Sequence, residues 1–214
     1  LPELLYESVV EIPERIDIHG KIILKLDEEE VEKSLQIAYD GGIRAVAIAL
    51  VHGYRHHGHE KRVACIAKKI GFTQISVSHE VSPMMKLISR GDTAVVDAYL
   101  SPILRRYVDQ VANQLDNGGG KTPRLMFMQS NGGLTDAHHF QGKDAILSGP
   151  AGGVVGMAKT ASMAGLDKVI GFDMGGTSTD VSHFDGEYER IFESMVAGVR
   201  LRAPMMNIHT VAAG

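Results

Sequence analysis

Cysteine is nearly missing from this 214-residue chain: Cys65 stands alone, which excludes an internal disulfide framework and any cysteine-rich zinc module. Long hydrophobic runs are missing too. The longest uninterrupted one, Ala45 to Val51, falls far short of the ~20 residues that span a bilayer, and no signal peptide opens the sequence. Basic charge is not in excess: 22 Lys and Arg face 26 Asp and Glu, a net charge of -4, which argues against a nucleic-acid binder built to neutralise phosphates. No internal repeat or low-complexity tract is found, and no Gly-x-Ser-x-Gly elbow marks a serine hydrolase. These absences point to a reducing, cytoplasmic setting with neither membrane nor nucleic acid as partner. What is present is an ordinary globular composition, 44% hydrophobic and 22% charged, enough for one large domain or parts of two. The chain starts at Leu1 rather than Met and stops at Gly214 without a charged tail, so it reads as a piece of a longer polypeptide.

Hydrophobic periodicity predicts alternating helices and strands. Leu5–Ile12 and Lys21–Lys25 suggest a small hairpin around Gly20. Asp27 can cap a helix with Glu30 at capping-box spacing, and Gly41-Gly42 can end it. A strand over Arg44–Val51, a helix over Glu60–Ile70 closed by Gly71, and a strand over Gln74–Ser78 follow, the order of a parallel crossover. A helix over Thr93–Leu115 must kink or break at Pro102. The Asn117–Gly120 stretch reads as a flexible link to a strand over Arg124–Gln129, which Ser130–Gly133 turns. Pro150 opens a helix running to about Ala164. Strands over Val169–Asp173, Thr179–Phe184 and Tyr188–Phe192 close the pattern, the last two joined at Asp185-Gly186.

The densest chemical signal is Asp173-Met174-Gly175-Gly176-Thr177-Ser178-Thr179-Asp180. An apolar strand delivers Asp173 to its end, and the two glycines allow a tight turn whose successive amides form an anion nest for phosphate oxygens. Carboxylates flanking such a turn can hold hydrated Mg²⁺ beside the phosphate. Alternation after Thr179 predicts a strand, unlike a Walker loop with its Gly-Lys-Ser/Thr and helix. A hydroxyl-decorated hairpin without function is the plain alternative. Ser148–Gly156 offers a second glycine cluster, compatible with close helix packing, with a nucleotide-facing helix, or with a Rossmann turn across Gly149–Gly156 whose ribose acid would be Asp173. His52, His56, His57 and His59 crowd one loop. A mononuclear metal site can be drawn there, but a solvated histidine cluster is the preferred reading. Cys65 reads as a buried structural thiol. Ser130–Gly133 suits a ligand-facing loop or a plain turn equally.

Taken together, Leu147–Gly156 and Gly171–Ser182 resemble the hydantoinase A/oxoprolinase family. Pro83, Arg90–Thr93, Val96–Pro102, Ser130–Leu134, Ala197–Val199 and Thr210–Gly214 support the likeness, so it runs through most of the chain. The resemblance implies an α/β chain, part of an actin/hexokinase/Hsp70-like ATPase fold with mixed sheets and flanking helices. Two halves of that fold clamp ATP, each with an Asp-x-Gly-Gly-Thr hairpin, and Asp173–Asp180 matches the second. Residues 1–92 would then be the C-terminal part of an N-terminal α/β domain, and 93–214 the start of the domain carrying that hairpin. The implied cofactors are ATP and Mg²⁺. Asp173 and Asp180 would hold Mg²⁺ or its waters, Gly175, Gly176 and Thr177 would cradle phosphates, Thr179 would add a hydroxyl, and Gly152 and Gly153 would bring a helix close. The implied reaction is the opening of 5-oxo-L-proline to L-glutamate driven by ATP hydrolysis. Hydantoin hydrolysis and ketone carboxylation are the alternatives within the family, and an NAD(P)-dependent oxidoreductase is the alternative outside it. Expected partners are the absent segments of the same polypeptide, a hydantoinase B-type domain or subunit, and further copies of the enzyme. The piece alone is expected to be inactive.

Overall fold

Elements follow from caps and spacing in the first part of the chain. The computed structural model describes residues 4–115 and 124–212, so the Asn117–Gly120 link and the Ala213-Gly214 end lie outside the described residues. Contacts divide the chain into two units, Leu1–Tyr107 with Ser194–Arg202, and Val108–Glu193 with Ala203–Gly214.

In the first unit, β1 (Arg15–Ile16) and β2 (Ile22–Leu24) form the hairpin around Gly20. Its first strand is not Leu5–Ile12, which lies outside any strand. The Asp17 carboxylate accepts from the His19 and Lys21 amides at 2.9 and 2.8 Å, and this tight turn brings only its immediate neighbours into pairing distance. Helix α1 (Glu28–Asp40) starts where expected, because Asp27 accepts from the Glu30 amide at 3.1 Å and three glutamates complement the helix dipole. Strand β3 (Ala45–Ile48) leads to α2 (Gly58–Ile70), which Gly71 ends at φ +113°, a conformation open to glycine. β4 (Gln74–Val77) pairs parallel with β3, Val46 opposite Ile75, so the expected crossover is present. Val31 and Leu35 of α1, Val63, Ile66 and Ala67 of α2, Ile48, Val77 and Phe72 share one buried core. Their i, i+3 and i+4 spacing on both helices is what places them on one face.

After a single turn, α3 (Ser78–Val81), comes α4 (Leu87–Leu115). It starts six residues before the expected Thr93, and it continues through Pro102 as one helix. Gly91 and the polar Ser89 and Arg90 hid its first turns, but Gly91 lies against Ala49, and Arg90 is drawn into the interior.

In the second unit, β5 (Met126–Met128) and β6 (Leu134–Asp136) flank the Ser130–Gly133 turn, in which Gly132 takes φ +82°. A short turn, α5 (Gly142–Ala145), precedes α6 (Ser148–Met163), with Pro150 in its first turn as expected. β7 (Lys168–Met174) and β8 (Ser178–Asp185) are an antiparallel pair. β9 (Arg190–Ile191) does not continue that meander beyond one bridge, Phe184 with Tyr188. It pairs instead with β12 further along the chain. The polypeptide first returns to the first unit as the hairpin β10 (Ser194–Val196) and β11 (Val199–Leu201). There the Arg202 amide donates to Thr93 Oγ1, its carbonyl accepts from Ser82 Oγ, and its guanidinium donates to the Met85 carbonyl, at 2.8 to 2.9 Å. Then β12 (Met205–Met206) pairs with β9, and β13 (His209–Ala212) adds to β8, giving the sheet order β13-β8-β7. Among the described residues no helix is long and apolar enough to cross a membrane.

Candidate phosphate-binding site

The Gly175-Gly176 turn is a tight hairpin, not the start of a helix. Met174 stands opposite Thr179, and the Gly175 amide donates to the Ser178 carbonyl at 2.9 Å. Register then decides which side chains meet. Asp173 pairs with Asp180 and Gly171 with Ser182, so all four point to one face, while Met174 and Thr179 point to the other. Thr179 is only 4% exposed, away from the two carboxylates. Thr177 and both glycines lie in the exposed turn itself.

Helix α6 covers the carboxylate face. A Cβ built on Gly153 would stand 3.9 Å from Asp173 Oδ2, and Met157 packs over Gly171 and Ser182 so closely that Gly171 has no room for a Cβ. Gly152 turns elsewhere, toward Met128 of β5, so it serves close helix packing. Ala151 and Val154 anchor the helix from beneath, against Met206. A cleft of about 370 Å³ remains between helix and hairpin, and both aspartates, Gly153, Met157 and Ser182 are among its lining residues.

Two like charges directly across a sheet repel. No Lys or Arg among the described residues pairs with Asp173 or Asp180, and Asp173 is exposed. The arrangement therefore lacks its counter-charge. Mg²⁺ suits it, since that ion takes one or two carboxylates, keeps several waters and shares substrate phosphates. Among the described residues no group of three His, Cys, Asp or Glu side chains could hold a metal by itself. Sequence reasoning missed Ser182, 8% exposed in the cleft wall, and Thr210, whose Oγ1 donates to Asp180 Oδ1 at 2.7 Å. The sequence placed Thr210 only in the Thr210–Gly214 stretch that carries the family likeness, and nothing local named its neighbour.

The histidine loop is neither metal site nor solvated cluster. His56 meets the Ile18 carbonyl, His57 the Gly53 carbonyl, and His59 the Glu14 carboxylate, so these three rings are tied to three different places, while His52 turns a buried Nδ1 to no hydrogen-bond partner among the described residues. His57 also stacks on His79, ring centroids 4.4 Å apart. Beneath them lies a buried polar centre. The Glu60 carboxylate accepts from the Leu50 amide, Ser78 Oγ and the His79 amide, and its Oε2 lies 2.6 Å from His79 Nδ1. Arg90 donates to Ser78 Oγ and to the Leu50 and Met84 carbonyls. Burial pulls its guanidinium below the ordinary arginine range, and the Glu60 charge opposes that pull. The Ser130–Gly133 loop is likewise structural: Ser130 Oγ bonds the Asp144 carbonyl and the Leu147 amide at the entry to α6. Cys65, expected to be buried, is exposed on α2.

The Rossmann reading of Gly149–Gly156 fails on topology. The segment follows the short helix α5 instead of a strand, and Asp173 lies on a strand whose partner β8 runs antiparallel. The mixed sheets with flanking helices, and the glycine hairpin beside a helix, instead define part of an actin-like ATPase fold. Two solved structures share it: ATP-dependent caprolactamase from Pseudomonas jessenii, 31% identical with a TM-score of 0.84 over 95% of this chain and 30% of that one, and the nucleotide-free acetone carboxylase, 25% identical with a TM-score of 0.82 over 95% and 29%. Residues 90–214 match the family Hydantoinase/oxoprolinase, and residues 1–71 match the Hydantoinase/oxoprolinase N-terminal region. The chain belongs to the hydantoinase/oxoprolinase family. The 5-oxoprolinase of Saccharomyces cerevisiae is 40% identical over 98% of the chain, which spans 18% of that protein's length. The chain thus covers about a fifth of the length of such curated relatives.

Proposed function

We propose that this chain supplies one side of the ATP clamp of a larger, ATP-dependent cyclic amide hydrolase that opens 5-oxo-L-proline to L-glutamate. The observation that carries the reading is the unneutralised Asp173 and Asp180 pair, on one face of a glycine hairpin, lining a cleft with Gly153. The 5-oxoprolinase relatives support the choice of lactam over hydantoin or ketone. In this reading Asp173 and Asp180 hold Mg²⁺ or its waters, and the Gly176 and Thr177 amides donate to phosphate oxygens, while Gly175, its amide taken by the Ser178 carbonyl, closes the turn that presents them. Thr179 lies behind the sheet and supports the turn. ATP supplies the driving force by converting a poor lactam electrophile into one that water attacks. The chain's own contribution is to position the phosphates and exclude water from the α6 side. The division into regions 1–92 and 93–214, a cytoplasmic setting, a hydantoinase B-type partner and assembly of several copies belong to the same reading.

The test is product analysis of the full-length protein with ATP, Mg²⁺ and either 5-oxoproline, hydantoin or caprolactam. Glutamate and phosphate in equal amounts support the reading. Phosphate release with only another substrate moves the assignment within the family, and thermal stabilisation by NAD(P) but not by Mg-ATP overturns it.

Two further outcomes follow from the cleft. Gly153→Val puts a branched side chain beside Asp173 and should weaken Mg-ATP binding on the order of tenfold, ~1.4 kcal/mol by calorimetry. Gly153→Ala should be tolerated, since its Cβ meets only an ordinary contact. The 214-residue chain alone contains a single Asp-x-Gly-Gly-Thr and should release no phosphate from ATP. Steady turnover by it would show that one side of the clamp suffices.

A further inference from the structure

We infer that Thr210 is a positioning residue for Asp180, setting how the carboxylate pair meets its cation; this rests on the phosphate-site reading above. The register places Thr210 beside Asp180 and Asp173 on its other side, so three polar side chains cross β13, β8 and β7 in one row. Thr210 Oγ1 donates to Asp180 Oδ1 at 2.7 Å, the length of a hydroxyl–carboxylate bond of the stronger, charge-assisted kind. Because β8 lies between the other two strands, the bond holds Oδ1 on the side away from Asp173. It leaves Oδ2 without a partner among the described residues, available to the cation. Two carboxylates left to themselves would swing apart by repulsion. With one of them pinned by a neutral donor, their spacing is set before the ion arrives, and less ordering is left for binding to impose.

A purely structural role fits Thr210 poorly. It is exposed, packs into neither buried core, and sits in a strand where valine is as well suited as threonine. Thr210→Val should therefore keep the fold and lose only the hydroxyl, while Thr210→Ser keeps the donor.

The experiment uses full-length protein and reads Mn²⁺ binding in the presence of ADP by electron paramagnetic resonance, alongside melting temperature. Thr210→Val should bind Mn²⁺ about tenfold more weakly, as loss of a partner behind a ligand commonly does, with unchanged melting. Thr210→Ser should restore binding. Asp180→Asn is the control for the site itself. Wild-type affinity in Thr210→Val with loss in Asp180→Asn would overturn the positioning role and leave the site standing. Wild-type affinity in Asp180→Asn would overturn the site. A melting temperature that falls in Thr210→Val and is restored by serine would assign the hydroxyl to folding and overturn the inference.

Discussion

Asp173→Asn should lower ATP turnover of the full-length protein by about a hundredfold or more, the scale seen when one preorganised charge partner is removed from a transferring group. Folding should not suffer. Asp173 is exposed, contributes to no core, and stands directly across from another carboxylate, so its charge costs stability where it is. Melting temperature is expected to hold or rise slightly while activity collapses. That opposition separates a functional carboxylate from a structural one, and turnover at the wild-type rate with saturating Mg²⁺ would remove Asp173 from the site.

Gly53→Ala should do the reverse, acting on stability far from the phosphates. A Cβ at Gly53 overlaps the Glu60 carboxylate, which cannot retreat because backbone amides, Ser78 and His79 surround it. Displacing it strands those donors and leaves Arg90 without its compensating charge. Leaving a buried guanidinium without an opposing charge nearby, and buried donors without an acceptor, costs on the order of 3–5 kcal/mol. Hydrogen exchange in the full-length protein should speed up at the α2 and β4 amides, and Glu60→Leu should reproduce the effect. Protection equal to wild type in both variants would mean that this centre does not hold the two strand ends together.

The two classes of feature differed in how far the sequence announced them. The Gly175-Gly176 hairpin was readable because double glycine, flanking carboxylates and alternation after Thr179 are all local. The same holds for α1, whose Asp27 cap and acidic first turn sit within four residues. Local signals also placed the wrong strand beside β2 and left Tyr188–Phe192 pairing with β8, since neither error breaks a local rule. β13 escaped because its partner lies 30 residues away, and with it went Thr210. The histidines show the limit most clearly. Crowding at positions 52 to 59 says nothing of Glu14, Ile18 or His79, which decide what each ring does. Gly152 and Gly153 are equivalent in sequence, yet one faces a strand and the other a carboxylate.

The Arg202 anchors carry a consequence for synthesis. Its bonds to Thr93, Ser82 and Met85 close loops of 109 to 120 residues, so the first unit waits for a segment made long after its own helices. A growing chain emerges at ~5–20 residues per second, and long loops slow closure. On the ribosome the α1–α2 layer can assemble early, while the seat of β10 and β11 stays open for several seconds. During that interval the Thr93 and Ser82 hydroxyls and the Met85 carbonyl, which Arg202 later engages, are left to water.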